Sequence, residues 1–98
     1  MDALSDIKLE RGAGRGRYSA TIGDGEPAEL TFVERGAGHI VIDHTYVPAQ
    51  YRGRGVALKL LTKAVEDARA EGTKITPVCS YAVAEFRNRP EWADVLRR

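Results

Sequence analysis

Val47-Pro48-Ala49-Gln50-Tyr51-Arg52-Gly53-Arg54-Gly55-Val56-Ala57 decides how this chain is read. A strand expected over Gly38 to Val47 runs into it, and a helix ending at Gly72 runs out of it. The two glycines allow backbone angles barred to other residues and let a ligand come close to the main chain. The first N–H groups of the helix have no internal partner, and the helix dipole favours an anion there. Strand, glycine turn and helix start together predict a phosphate cradle. Arg52 and Arg54 add fixed positive charge.

The helix is well marked. Ala57, Leu60, Leu61, Ala64, Val65 and Ala68 share one face, while Lys59, Thr62, Lys63, Glu66 and Asp67 lie elsewhere. Lys63 and Asp67 are spaced to pair, a gain of only ~0.2–0.5 kcal/mol. Gly72 suits the left-handed residue that ends a helix. Gln50 to Val65 holds four basic residues and no acid. That fits an anionic ligand, and it equally fits a solvated face that happens to be basic.

The 98 residues predict one domain, 1–98, large enough to hide roughly 60–65% of its unfolded surface without staples. Net charge is only +1, but it is uneven. Residues 1–49 carry eight acids and five bases, net −3; residues 50–98 carry six acids and ten bases, net +4. The pattern points to a local anion site rather than nucleic-acid binding, which the few aromatics also disfavour. One cysteine excludes an internal disulfide framework and a cysteine-rich zinc site; no metal site is expected. No apolar run is long enough to span a membrane, and Met1 to Glu10 has no signal-peptide core. The expectation is a cytoplasmic protein with no membrane partner.

Upstream of the glycine turn, Ile7 and Leu9 alternate with polar residues, and Arg11 to Gly16 reads as a Gly/Arg loop. Tyr18, Ala20 and Ile22 alternate, then Ala28, Leu30 and Phe32, with turn clusters at Gly23–Pro27 and Gly36–Gly38. Ile40, Ile42, His44 and Tyr46 fall on one face of a fourth strand, with Val41, Asp43, Thr45 and Val47 on the other. Ile75 to Cys79 predicts a fifth strand, in which Pro77 signals an edge or a bulge. Ser80 is placed to cap a second helix with Val83 and Phe86 inward, and Pro90 stops it. Trp92, Val95 and Leu96 form a small amphipathic end. The order ββββαβα predicts an α+β fold around a mixed, mostly antiparallel five-stranded sheet. The helical crossover sets strand five parallel to strand four.

Gln50-x-x-Gly53-x-Gly55 resembles the acyl-CoA pyrophosphate motif of the GNAT acetyltransferase superfamily. His44-Thr45-Tyr46-Val47-Pro48, Arg52-Gly53-Arg54-Gly55, Pro77-Val78-Cys79-Ser80-Tyr81 and Arg89-Pro90 together resemble its short single-domain YjdJ-type branch, over about residues 5 to 95. The resemblance implies a GNAT fold, binding of acetyl-CoA or coenzyme A, and an amine acceptor it does not name. It assigns the N–H groups of Gly53, Arg54, Gly55 and Val56 to the pyrophosphate, with Ala57 in the same turn. Gln50, Tyr51 and Arg52 flank that loop, and the backbone of Thr45, Tyr46 and Val47 pairs with the pantetheine amides like an added strand.

Acetyl transfer needs a neutral amine, a donor for the oxyanion and a proton for the leaving thiolate. Many GNAT enzymes use a strand-four carboxylate, and here the expected inward face carries His44 and Tyr46 instead. His44 suits base chemistry near neutral pH, or a structural hydrogen bond. Tyr81 stands where it could protonate a thiolate, or simply pack. Cys79 ends strand five before a helix start, the setting of a nucleophile and also a common place for a small buried residue. Asn88, after the second helix, is within reach of cofactor or of the surface. Two functions follow: a small acetyl-CoA-dependent N-acetyltransferase acting by direct attack in a ternary complex, or a CoA-binding module without efficient catalysis. A monomer or weak homodimer is expected in either case.

Overall fold

The computed structural model describes residues 4–97, so residues 1–3 and 98 of the expected 1–98 domain lie outside it. The strands are β1 (Lys8–Gly12), β2 (Arg15–Ala20), β3 (Ala28–Glu34), β4 (His39–Tyr46) and β5 (Lys74–Pro77). The helices are α1 (Val56–Glu71) and α2 (Ser80–Asn88). The strands form one sheet in sequence order, antiparallel from β1 to β4 and parallel between β4 and β5. This is the mixed ββββαβα arrangement of a GNAT-like α+β fold.

The segment 11–16 is not a loop. Gly12 pairs with Arg15, and Ala13 and Gly14 alone turn the chain, both with positive φ (54° and 76°). A two-residue turn of that hand matches the twist of the strands it joins, so the hairpin closes tightly. β1 is exposed along its length, including Leu9.

The core lies between the sheet and α1. Tyr18, Ala20, Ala28, Leu30, Phe32, Ile40, Ile42 and Ile75 meet the buried stripe Val56, Leu60, Leu61, Ala64, Val65 and Ala68. Val56 rather than Ala57 begins that stripe; Ala57 is half-buried. Tyr18 and Phe32 contact at 5.8 Å between centroids. Tyr18 donates to Asp67 of α1 (2.8 Å), which also pairs with Lys63 (3.2 Å). Burial and then the Asp67 carboxylate push the Tyr18 phenol well above its usual range. Tyr18→Phe deletes a hydrogen bond to a carboxylate and is expected to cost about 1–2 kcal/mol in denaturant unfolding; an unchanged midpoint would show that solvent replaces the bond fully.

α2 lies on the same side as α1. Its start faces the start of α1, and the turn after it is tied to the end of α1, where Arg69 donates to Asp94 (2.7 Å) and to the Glu91 carbonyl (3.2 Å). Phe86 meets Trp92 edge-on at 5.2 Å. Cys79, not Ser80, is the residue before the first helical turn, and no side chain caps it. Ala82 and Phe86 are the buried residues of α2, and Val83 is only half-buried. β5 ends at Pro77, two residues short of the expected Cys79. Its outer edge is covered, because the Ile75 N–H donates to Val95 (2.7 Å) and its carbonyl accepts from Arg97 (2.8 Å). The opposite face of the sheet stays open: Arg17, Glu29, Thr31, Val33, Val41 and Asp43 are no more than half-buried there.

One irregularity redirects β4. Thr31 pairs with His44, yet the next residue, Phe32, pairs with Ile42, leaving Asp43 as an extra residue. A bulge of this kind shifts every later side chain to the other face. Ile40 and Ile42 face the core as expected, but His44 and Tyr46 do not. They stand with Thr31 and Glu29 on the open face, while Thr45, paired with Leu30, takes the α1 side.

Candidate functional site

The glycine turn is built as its sequence requires. Gly53 and Gly55 have φ of 81° and 76°. Such angles cost a residue bearing a Cβ about 1–2 kcal/mol. Gly55 caps α1 in the left-handed conformation, and the Gly55 carbonyl takes its first helical bond, from the Lys59 N–H (3.1 Å). The amides that precede Lys59 are the unpaired donors of the helix start, free to face an anion.

A single 3-10 turn over Ala49–Tyr51 steers the chain from β4 into this loop. Tyr51 anchors it, donating to the Ile22 carbonyl (3.1 Å) in the turn between β2 and β3. A Cβ on Gly25 of that turn would lie 2.5 Å from the Tyr51 hydroxyl, so glycine is needed for the ring to seat. Arg54 lies over the Tyr51 ring at 5.8 Å, a cation–π contact. Arg52 folds back and donates to the Val47 carbonyl (3.0 Å).

A cleft of about 250 Å³ opens between the loop and α2. Val47, Tyr51, Arg52, Gly53, Gly55, Val56 and Ala57 line it with Tyr81, so most of the residues singled out in the sequence converge. Leu58 lines it too; the helical pattern gave no signal for it, because it lies off the buried stripe. Gln50 is exposed beside the loop and is not among the lining residues. A roomier hollow of about 400 Å³ lies toward the other end of α2, between Phe86, Arg87, Pro90 and Leu96. It has no glycine amides on its wall, so size does not make it the better anion site. Asn88 is exposed in the last turn of α2, roughly 10 Å along the axis from Tyr81, and does not reach the cleft.

β4 and β5 part where α1 begins. Their last paired residues are Ile42 and Pro77, and the Val78 and Cys79 N–H groups both donate to the Ile42 carbonyl (2.9 and 3.3 Å). Beyond that point the edge of β4 is open, and Thr45 Oγ1 faces Cys79 Sγ across the gap at 3.2 Å. The half-buried thiol therefore stands where the two strands diverge. Tyr81, two residues on, is pushed up to about 12 by burial first and then by the Glu85 carboxylate, with Arg89 opposing. Its phenol stays protonated at neutral pH and acts as a donor. Glu85 itself is held by Arg89 (3.0 Å). His44 is exposed on the far face, 3.8 Å from Glu29, and Tyr46 donates to Glu26 (2.7 Å). Neither faces the cleft side of the sheet, which corrects the inward placement of both.

The arrangement recurs in known proteins. Residues 17–95 match the family described as GCN5-related N-acetyl-transferase. The chain is 30% identical to the protein NATD1 of Xenopus tropicalis, over 92% of this chain and 84% of that one. It resembles the solution structure of a GCN5-like protein from Staphylococcus aureus, with TM-score 0.69 and 33% identity over 95% of this chain and 90% of that one. Nourseothricin acetyltransferase shares the fold at TM-score 0.59 and 22% identity, over 76% of this chain and 48% of that one. No helix among the described residues is long and apolar enough to cross a membrane. With its sheet, its glycine turn and these relatives in agreement, the chain belongs to the GCN5-related N-acetyltransferase family.

Proposed function

We propose that this chain is an acetyl-CoA-dependent N-acetyltransferase that passes acetyl directly to an amine in a ternary complex. The observation that carries the proposal is the pair of left-handed glycines at the start of α1, opening into a cleft that runs toward diverging strands. The N–H groups of Gly53, Arg54, Gly55 and Val56 take the pyrophosphate, with Arg52 and Arg54 adding charge and Ala57 and Leu58 closing the wall. The pantetheine arm runs along the free edge of Thr45, Tyr46 and Val47; the Val47 carbonyl is open to it once Arg52 swings toward phosphate. The acetyl group then lies near Thr45 and Cys79. Tyr81 gives its proton to the departing thiolate, a role its protonated state supports. Gln50 acts, if at all, at the outer rim, and Asn88 has no part. The reading assigns one domain, a cytosolic setting and a monomer or weak dimer.

Cys79 carries the second reading, because Thr45 holds its sulfur 3.2 Å away at the end of the cleft. There the thiolate takes the acetyl group first and hands it on. Such an exchange between thioesters is nearly neutral in energy, so direct attack needs fewer steps for the same result. The two routes separate by intact mass. Cys79→Ala is expected to bind CoA as before and keep measurable transfer. An acetyl mass gain on acetyl-CoA alone, lost in Cys79→Ala and chased off by amine at the turnover rate, would replace direct attack. A chain that binds acetyl-CoA yet acetylates no amine would instead be a CoA-binding module.

A further inference from the structure

The proposed reaction leaves one proton unassigned. Most aliphatic amines arrive as ammonium ions, and the attacking nitrogen must lose a proton first. The cleft wall offers Tyr81, which is held protonated and serves the other end of the reaction. The remaining groups near the end of β4 lie across the sheet.

The bulge at Asp43 is what puts them there. It turns His44 onto the open face, opposite Thr31, while leaving Thr45, the next residue, beside Cys79 in the gap between strands. His44 and the thiol thus flank one short stretch of backbone from opposite sides. His44 Nε2 is 3.8 Å from Glu29 Oε2, and Glu29 is fixed through its other oxygen by Arg17 Nε (2.8 Å). A carboxylate held by arginine and facing an imidazole orients the ring, a common support for a histidine that moves protons. Beyond the Ile42–Pro77 pair no strand covers the β4 edge, so the gap opens to both faces. CoA, seated from the α1 side, fills one of them.

We infer that the acceptor amine reaches the thioester from the open face of the sheet, and that His44, positioned by Glu29, takes its proton. The inference rests on the proposed acetyl transfer. The imidazole accepts one proton from the ammonium ion, and the free amine adds to the thioester carbonyl. The carbon–sulfur bond then breaks, the thiolate takes a proton from Tyr81, and Tyr81 is restored by the proton the amide nitrogen sheds. His44 returns its proton to water, and the sum is amide, free CoA thiol and one proton. The surroundings favour a cationic aliphatic amine. Glu29 faces His44 directly, and Glu26 stands by Tyr46 at the same end. Arg17 is matched by Glu10 and Glu29, and Arg15 lies by Asp43 at 3.8 Å, which Thr31 also holds (2.6 Å). Val78, exposed next to the gap, gives an alkyl chain an apolar rest.

The test pairs two nucleophiles. Hydroxylamine is largely unprotonated at neutral pH and needs no base; simple primary alkylamines do. With the full chain and acetyl-CoA, His44→Gln is expected to lose about 100-fold or more in kcat/KM for alkylamines at pH 7. It should regain activity as pH rises, and keep its hydroxylamine rate within about threefold. Glu29→Gln should show the same discrimination with a loss of about tenfold. Calorimetry should give acetyl-CoA affinities equal to the parent for both. His39→Gln, at the far end of β4 where His39 bonds Thr76 (2.7 Å), serves as the control and should match the parent throughout. A His44→Gln protein that matches the parent with alkylamines at every pH overturns the inference alone. A parent that binds acetyl-CoA and acetylates neither nucleophile overturns the proposed transfer, and this inference with it.

Discussion

Gly55→Glu should weaken CoA binding by about 100-fold, close to 2.7 kcal/mol, while Gly72→Glu leaves it within about threefold. The two sites make a matched pair. Both glycines have nearly the same left-handed backbone, φ 76° and 73°, and a Cβ at either meets nothing within 4 Å. Any loss of stability from placing a side chain in that conformation is therefore shared, about 1–2 kcal/mol in each. They differ in what they face. Gly55 stands at the positive end of α1 and on the wall of the cleft, whereas Gly72 closes its negative end. A carboxylate at Gly55 competes for the amides that would hold the pyrophosphate and repels it as well. Calorimetry on the two folded variants reads the difference, and equal affinities would remove the loop from the binding site.

Gly16→Ala should destabilise the fold by about 3 kcal/mol or more, or prevent folding, with no involvement of ligand. Gly16 sits directly across the β2–β3 ladder from Phe32. A Cβ there would lie 2.0 Å from Phe32 Cζ and within 2.6 Å of both neighbouring ring carbons. The ring cannot retreat easily, because it is 1% exposed, touches Tyr18 and lies beneath the Arg11 guanidinium. Phe32→Leu alone opens a void, but in the double variant the smaller side chain makes room for the new methyl. The double-mutant cycle should then show a favourable coupling above 1 kcal/mol. Additive losses would mean that the backbone shifts rather than the ring.

Much of this was open to reading along the chain, and the reasons are local. β3 alternates strictly through Ala28, Leu30 and Phe32, and α1 carries its apolar stripe between two glycines with left-handed geometry at each end. Such signals need no partner to be interpreted. The glycine turn was legible for the same reason, since Gly53 and Gly55 both take the positive φ that their identity permits.

The failures share a different cause. Ile40 to Tyr46 reads as an unbroken two-residue alternation, with no glycine or proline at Asp43 to mark a bulge. The extra residue exists only relative to β3, so the faces of His44 and Tyr46 were set by a strand that lies elsewhere in sequence. Asn88 was placed by its position after a helix, but the direction of α2 carries it away from the cleft. Arg11 to Gly16 was taken as a loop on composition, yet a two-residue turn uses the same residues. The juxtapositions of Thr45 with Cys79 and of Glu29 with His44 join residues far apart in sequence, and no spacing rule reveals them.

The central claim is that acetyl-CoA lies across the start of α1 and along the free edge of β4. Backbone amide NMR shifts during titration with acetyl-CoA test it most directly. The account predicts the largest changes at Gly53, Arg54, Gly55 and Val56, with a second set at Thr45 to Val47 and at Cys79 to Tyr81. Saturable shifts centred on the hollow by Phe86, Arg87 and Leu96, with the glycine amides unmoved, would contradict it.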